Sequence, residues 1–192
     1  MKVVGICGSP RKGNSEWMLR KLLGSAAKAG ADTELILLRE KNIKGCDGCL
    51  ACEVGGKARK GICRIQDDMQ QIYPKLIEAD ALALGTPGYF EMLSGLLKNF
   101  MDRTCPIWPR LALKPIVGVA VAEESIGKAV ENLRTYSSVC GMRWVGYVTA
   151  LAKTPKQVSK DRNVGRRLER LGNELIRVLK LRFYTIVQNC EP

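Results

Sequence analysis

KVVGICGSPRKGNS, residues 2–15, is an apolar, β-branched run that stops at a glycine and opens into a loop of small polar residues. Lys2–Cys7 is short and almost continuously apolar, as expected of a strand buried on both faces. Glu16–Ala29 follows with helical spacing of Trp17, Leu19, Leu22, Leu23 and Ala26, and Gly30 stops it. A buried strand feeding an amphipathic helix is the opening of a β–α–β unit, whose strands lie parallel beneath covering helices.

The alternation continues to the end of the chain. Thr33–Leu38 (TELILL) predicts a second strand, and Asp67 or Asp68 can cap a helix through Met69, Ile72, Leu76 and Ile77. Ala81–Leu84 predicts a third strand, stopped by Gly85-Thr86-Pro87-Gly88, and Ser94–Arg103 the next helix. Pro115–Ala122 reads as the fourth strand, Ser125–Cys140 as a helix, Trp144–Leu151 as the fifth strand and Asn163–Arg182 as the closing helix. This order predicts an α/β fold, a five-stranded parallel doubly wound sheet with helices on both faces. The whole chain, 1–192, reads as one domain, with a cysteine-rich loop at about 39–66 inserted after the second strand.

Composition narrows the class. Hydrophobic residues at 46% and charged residues at 26% suit a water-soluble globular protein. No run approaches the roughly 18 to 20 apolar residues of a membrane span, and the N-terminus lacks the shape of a signal peptide. A cytoplasmic protein is therefore expected, and eight cysteines in a reducing compartment point to metal or redox chemistry. Histidine is absent, which excludes imidazole acid–base and triad chemistry.

The net charge of +12 is concentrated in two places. Arg39, Lys41, Lys44, Lys57, Arg59, Lys60 and Arg64 surround the cysteine loop against Glu40, Asp47 and Glu53, a rim suited to an acidic redox partner or a phosphorylated dinucleotide. The second block, Lys153 to Arg182, reads as the solvated face of the last helix. It carries no nucleic-acid motif and no base-stacking aromatics, so no nucleic-acid partner is expected.

Three segments carry chemistry. Cys46, Cys49 and Cys52 are two residues apart, and Cys63 follows after a stretch containing Gly55-Gly56. Such spacing suits an iron–sulfur cluster, a zinc site less well, and metal-free thiols in a surface loop remain open. Gly8-Ser9-Pro10-Arg11-Lys12-Gly13-Asn14-Ser15, at the carboxyl end of the first strand, offers backbone N–H groups, hydroxyls and a guanidinium to a monophosphate. It equally suits a polar turn that caps the helix. Asn14 stands where a P-loop needs lysine, and no GxGxxG fingerprint occurs. Thr86-Pro87-Gly88-Tyr89-Phe90 combines a fixed turn with flat aromatic surfaces suited to a planar heterocycle; Tyr89 and Phe90 fit a core role as well.

CGSPRKGNS (7–15), the cysteine loop with IQDDM (65–69), and GTPGYFEMLSGLLKNFMDR (85–103) together resemble the NADPH-dependent FMN reductases of the flavodoxin-like fold. More narrowly they resemble the iron–sulfur flavoproteins, known mostly from archaea and anaerobes. The resemblance implies a three-layer flavodoxin-like sandwich. It implies FMN held at its phosphate by Ser9, Arg11, Lys12, Gly13, Asn14 and Ser15, and at its ring by Thr86, Pro87, Gly88, Tyr89 and Phe90. It implies a [4Fe–4S] cluster on Cys46, Cys49, Cys52 and Cys63. Chemistry would then rest with FMN, with NAD(P)H or an acidic ferredoxin-like protein as donor, in a homodimer or homotetramer. A cluster-free NAD(P)H-dependent FMN or quinone reductase and a non-enzymatic electron-transfer flavoprotein are the alternatives. The segment after the fourth strand reads Val121-Ala122-Glu123-Glu124-Ser125, where the family usually has a glycine pair.

Overall fold

Val3, Val4, Ile6 and Cys7 have no exposed surface, so β1 (Lys2–Cys7) must lie inside a sheet covered on both faces. The computed structural model, which describes residues 1–52 and 63–188 (of 182–188 the backbone alone), places it there. β2 (Asp32–Leu37) pairs with β1 on one side and β3 (Ala81–Tyr89) on the other, both in parallel. A two-residue strand, β4 (Met92–Leu93), folds back antiparallel on the end of β3. β5 (Pro115–Ala122) and β6 (Arg143–Leu151) extend the parallel sheet, giving the order β2-β1-β3-β5-β6. This is the order of flavodoxin-like sheets, and its winding reverses between β1 and β3.

Alternate residues of each strand face opposite layers. Val3, Ala81, Ala83, Val117 and Val119 pack under α1 (Asn14–Lys28) and α6 (Arg162–Gln188). Val4, Ile6, Leu82, Leu84 and Ile116 pack under α2 (Met69–Glu78), α3 (Gly95–Asp102), α4 (Trp108–Leu111) and α5 (Ala129–Val139). The crossing of α1 and α6 depends on Gly172: a Cβ there would stand 2.6 Å from the Leu22 carbonyl oxygen, which is backbone and cannot move aside. The outer face of α6 exposes Arg166, Arg167, Arg170, Arg177 and Lys180, with Arg177 paired to Glu174 and Lys21 of α1 to Glu169. Among the described residues no helix is long and apolar enough to cross a membrane.

The elements follow the sequence pattern with one instructive difference. β3 does not stop at Leu84 but runs through Gly85, Thr86, Pro87 and Gly88 to Tyr89. The Gly85 carbonyl accepts from Gly8 N–H at 2.8 Å, so odd-numbered residues here turn their backbone groups toward β1. Paired β1 ends at Cys7, opposite Gly85, so the missing N–H of Pro87 falls where no strand remains to receive it. A proline that would break a central strand is thereby accommodated. The helix expected from Ser125 begins instead at Ala129, and the short α4 was not foreseen.

The expected insertion at 39–66 includes residues 53–62, which lie outside the described residues, as do Glu53, Lys57, Arg59 and Lys60 of the proposed basic rim. Both described ends of this segment are gripped by one buried ion pair. Arg103, 1% exposed, directs its two terminal nitrogens at the wholly buried Asp67 carboxylate, at 2.6 and 3.0 Å. The same nitrogens donate to the carbonyls of Lys44 (2.8 Å) and Ile65 (3.3 Å). Asp67 in turn accepts from the Lys44 N–H (2.9 Å) and, capping α2, from the Met69 N–H (3.0 Å). Burial favours the neutral carboxyl, yet hydrogen bonds from Arg103 and these N–H groups outweigh it, and the Asp67 pKa lies below its ordinary value.

Removing one partner of such a pair strands the other charge in the interior. Asp67→Ala is expected to lower unfolding free energy by about 3–5 kcal/mol, read from urea denaturation at neutral pH. Because the folded pKa is depressed, Asp67 contributes fully above its unfolded pKa of about 4 and loses that contribution as pH falls further. The gap between wild type and variant should therefore narrow in acid.

Candidate functional site

The carboxyl ends of β1 and β3 meet at the winding reversal and are locked together. Beyond the Gly8–Gly85 bond, the Ser94 hydroxyl donates to the Gly8 carbonyl at 2.6 Å and accepts from the Leu97 N–H at 3.2 Å, capping α3. The Thr86 hydroxyl accepts from the Ser94 N–H at 2.9 Å and donates to the Pro87 carbonyl at 2.8 Å. A Cβ on Gly8 would stand 2.6 Å from the Leu97 Cβ and 2.9 Å from the Ser94 Oγ, so only glycine fits this crossing. Thr86 and Pro87 are buried, which makes them the floor of the site rather than its surface.

From this junction the 9–15 loop rises into α1. Ser9 is buried, its hydroxyl bridging to the carbonyl (2.8 Å) and N–H (3.3 Å) of Arg11, which shapes a tight turn. Pro10, Arg11 and Lys12 are exposed on that turn. Gly13 precedes α1 and no side chain caps it, so N–H groups of the first turn stay free to meet an anion. The side chain of Asn14 is largely committed elsewhere: it donates to the Thr154 carbonyl (2.9 Å) and accepts from the Val158 N–H (3.2 Å). Asn14 thus anchors the segment after β6 with its side chain, while its backbone N–H lies in the first turn of α1. Ser15 is buried at the helix start. Glu16 beside it binds Arg39 (2.8 Å) and Arg20 (2.9 Å), so Arg39 belongs to an internal ion pair and not to a free basic rim.

The second wall is the β3–β4 hairpin. Tyr89 pairs with Met92 and Gly88 with Leu93, leaving Phe90 and Glu91 as the two turn residues. Both adopt left-handed backbone, φ 48° and 60°, the mirror-image turn that suits a hairpin's twist and normally selects asparagine and glycine. Each costs about 1–2 kcal/mol in a non-glycine residue. The β5–α5 loop holds Glu91 there: the Lys128 N–H donates to the Glu91 carbonyl at 2.6 Å, and Gly127 lies so close that a Cβ would be 2.2 Å from that of Glu91. The expected turn at Pro87-Gly88 therefore sits three residues later, at Phe90-Glu91. The core alternative for the aromatics also falls, since Tyr89 is exposed and Phe90 wholly so.

The four cysteines of the loop line one small cavity of about 20 Å³. Cys46 is exposed, Cys49 and Cys52 half-buried, and Cys63 buried. Asp47 shapes the stretch, accepting from the Cys49 N–H (3.2 Å) and from Arg64 (2.6 Å), whose guanidinium holds its carboxyl below the usual range. Among the described residues no three such side chains converge as they would around a metal ion. Two residues not foreseen as partners join the cavity wall, Cys105 and Arg103. Their only sequence signal is position: Arg103 closes the 85–103 motif just past the end of α3, and Cys105 lies two residues beyond it.

Beside this cavity opens a cleft of about 1320 Å³ between α3, α4 and α5, reached by Cys46 and Cys52 and walled by Met92, Trp108, Tyr136 and Val139. Burial pushes up the pKa of the Tyr136 phenol and of the Cys140 thiol. Tyr136 lies 2.9 Å from the Thr104 hydroxyl. All seven described cysteines are free of disulfides; Cys190 lies outside the described residues.

Known proteins share this chain's family and fold. Residues 1–156 match the family model described as NADPH-dependent FMN reductase. An iron–sulfur flavoprotein of Methanocaldococcus jannaschii is 43% identical over 123 residues, which span 64% of this chain and 61% of that one. An iron–sulfur flavoprotein of Archaeoglobus fulgidus is 33% identical over 167 residues, 84% of this chain and 73% of its own. The chain thus spans about three fifths of the first relative and three quarters of the second. In fold, a flavodoxin from the domain Archaea superposes with a TM-score of 0.63 at 16% identity, over 94% of this chain and 99% of the other. The chain belongs to the NADPH-dependent FMN reductase family, among relatives named iron–sulfur flavoproteins.

Proposed function

We propose that this chain binds FMN at the carboxyl ends of β1 and β3 and acts as an FMN-dependent oxidoreductase of the iron–sulfur flavoprotein type. The observation that carries the reading is the uncapped start of α1 standing beside the rigid β3–β4 hairpin where the winding reverses. Arg11 and Lys12, with N–H groups of Gly13, Asn14 and Ser15, hold the phosphate, while Ser9 fixes the turn that presents them. Gly88, Tyr89 and Phe90 border the ring, with Thr86 and Pro87 beneath them. When bound, FMN supplies hydride and single-electron exchange, and a [4Fe–4S] cluster supplies single-electron exchange.

Cys46, Cys49, Cys52 and Cys63 hold the cluster. The donor set supports it: four thiols on one cavity, facing a buried cation. Electrons pass between NAD(P)H or an acidic ferredoxin-like donor and an acceptor, in a cytoplasmic homodimer or homotetramer. Lys41 and Lys44 are the described rim cations without a carboxylate partner within salt-bridge distance, and they favour an acidic donor. A second reading is a cluster-free NAD(P)H-dependent reductase of flavins or quinones, favoured by the lack of convergence among the described thiols.

Anaerobic visible spectra with iron and sulfide analysis decide between them. Flavin bands with a broad shoulder and about four irons per chain are expected, and Cys49→Ala should lose the iron while keeping the flavin. Flavin without iron, in protein never exposed to oxygen, would establish the cluster-free reading, and no flavin uptake by folded protein would refute both. Arg11→Ala should weaken FMN binding by about tenfold or more, measured by fluorescence quenching, because a charge-assisted hydrogen bond is worth roughly 1.5–3 kcal/mol.

A further inference from the structure

Arg103 has five N–H donors, and four of them are used. The two terminal nitrogens serve Asp67, the Lys44 carbonyl and the Ile65 carbonyl. The fifth donor, on Nε, is buried and meets no acceptor among the described residues. A buried donor left unpaired costs about 1–3 kcal/mol, more when charged, so its persistence in a residue 1% exposed calls for a partner. Arg103 also lines the cavity that Cys46, Cys49, Cys52 and Cys63 share. Burial disfavours its charge, yet Asp67 and the field of Cys63 outweigh that and hold its pKa above the ordinary arginine value.

We infer that Arg103 is a cofactor-contacting residue whose Nε–H donates to a sulfur of the iron–sulfur cluster. The inference rests on the cluster reading above and extends it to a residue outside the cysteine motif. Its consequence follows from charge. Reduction adds negative charge to the cluster, and a fixed cation donating to sulfur stabilises that state, which raises the reduction potential. Arginine stays protonated throughout the working range, so this contribution does not vary with pH. One side chain would thus both grip the two flanks of the cysteine loop and set the potential of what the loop holds.

The test uses the reconstituted holoprotein labelled with ¹⁵N-arginine, reduced anaerobically and examined by pulsed EPR. A ¹⁵N coupling and an exchangeable-proton coupling to the reduced cluster are expected in the wild type. Both should persist in Arg64→Lys, which alters the other arginine on the cavity wall. Both should vanish in Arg103→Lys, which keeps a cation for Asp67 but has no Nε–H, and its midpoint potential should move to a more negative value. Should Arg103→Lys fail to fold, the wild type and Arg64→Lys still decide the matter. About four irons per chain with no arginine coupling, or a coupling lost in Arg64→Lys, would overturn the inference and leave the cluster reading standing. Absence of iron would overturn both.

Discussion

The Asp67–Arg103 ion pair is the constraint around which the functional end of the molecule is organised. Neither side chain reaches solvent, and besides the two hydrogen bonds within the pair it makes four to main-chain groups of Lys44, Ile65 and Met69. An isolated buried ion pair gains little over apolar packing of the same volume. What this one achieves is geometric. Lys44 and Ile65, the flanks of the cysteine loop, are drawn onto the end of α3, and α3 is itself capped by the serine that locks β1 to β3. Loop and sheet are therefore parts of one hydrogen-bonded assembly.

The site divides into a hidden frame and an exposed surface. Gly8, Gly85, Thr86 and Ser94 make the frame, with no room for larger or apolar substitutes at the crossing. Arg11, Lys12, Tyr89 and Phe90 are the surface, with the buried Ser9 hydroxyl shaping the turn that carries Arg11. This separation suits a cofactor that performs the chemistry and asks of the protein only position and charge.

The layered architecture was legible because its signals are local. A doubly covered strand such as KVVGIC is apolar throughout, and amphipathic helices repeat on schedule. The same locality explains what was missed. Gly85-Thr86-Pro87-Gly88 has the composition of a turn, and only the early end of β1 makes it a tolerable strand. Left-handed Phe90 and Glu91 have no sequence signature, and the contacts from Gly127 and Lys128 that hold Glu91 come from far along the chain. Asn14 looked like a ligand from its neighbours, but a partner 140 residues away claims its side chain. Arg103 and Asp67 were visible as motif residues, yet their pairing is a tertiary fact. The cysteine spacing was read directly, and the fifth thiol on the same cavity was not, because Cys105 has no spacing relation to the others.

Phe90 stands at the tip of a turn whose two residues occupy a costly backbone state and whose second residue, Glu91, is clamped from behind. A loop of ordinary conformations would surrender freedom on meeting another molecule, and that loss would weaken association. The backbone of this tip has less freedom left to lose, since its Glu91 is already held by the neighbouring loop. The ring itself is fully exposed and keeps its rotamers, so what is pre-set at this end of the sheet is the backbone that carries it, and a molecule docking there has only the side chain left to order.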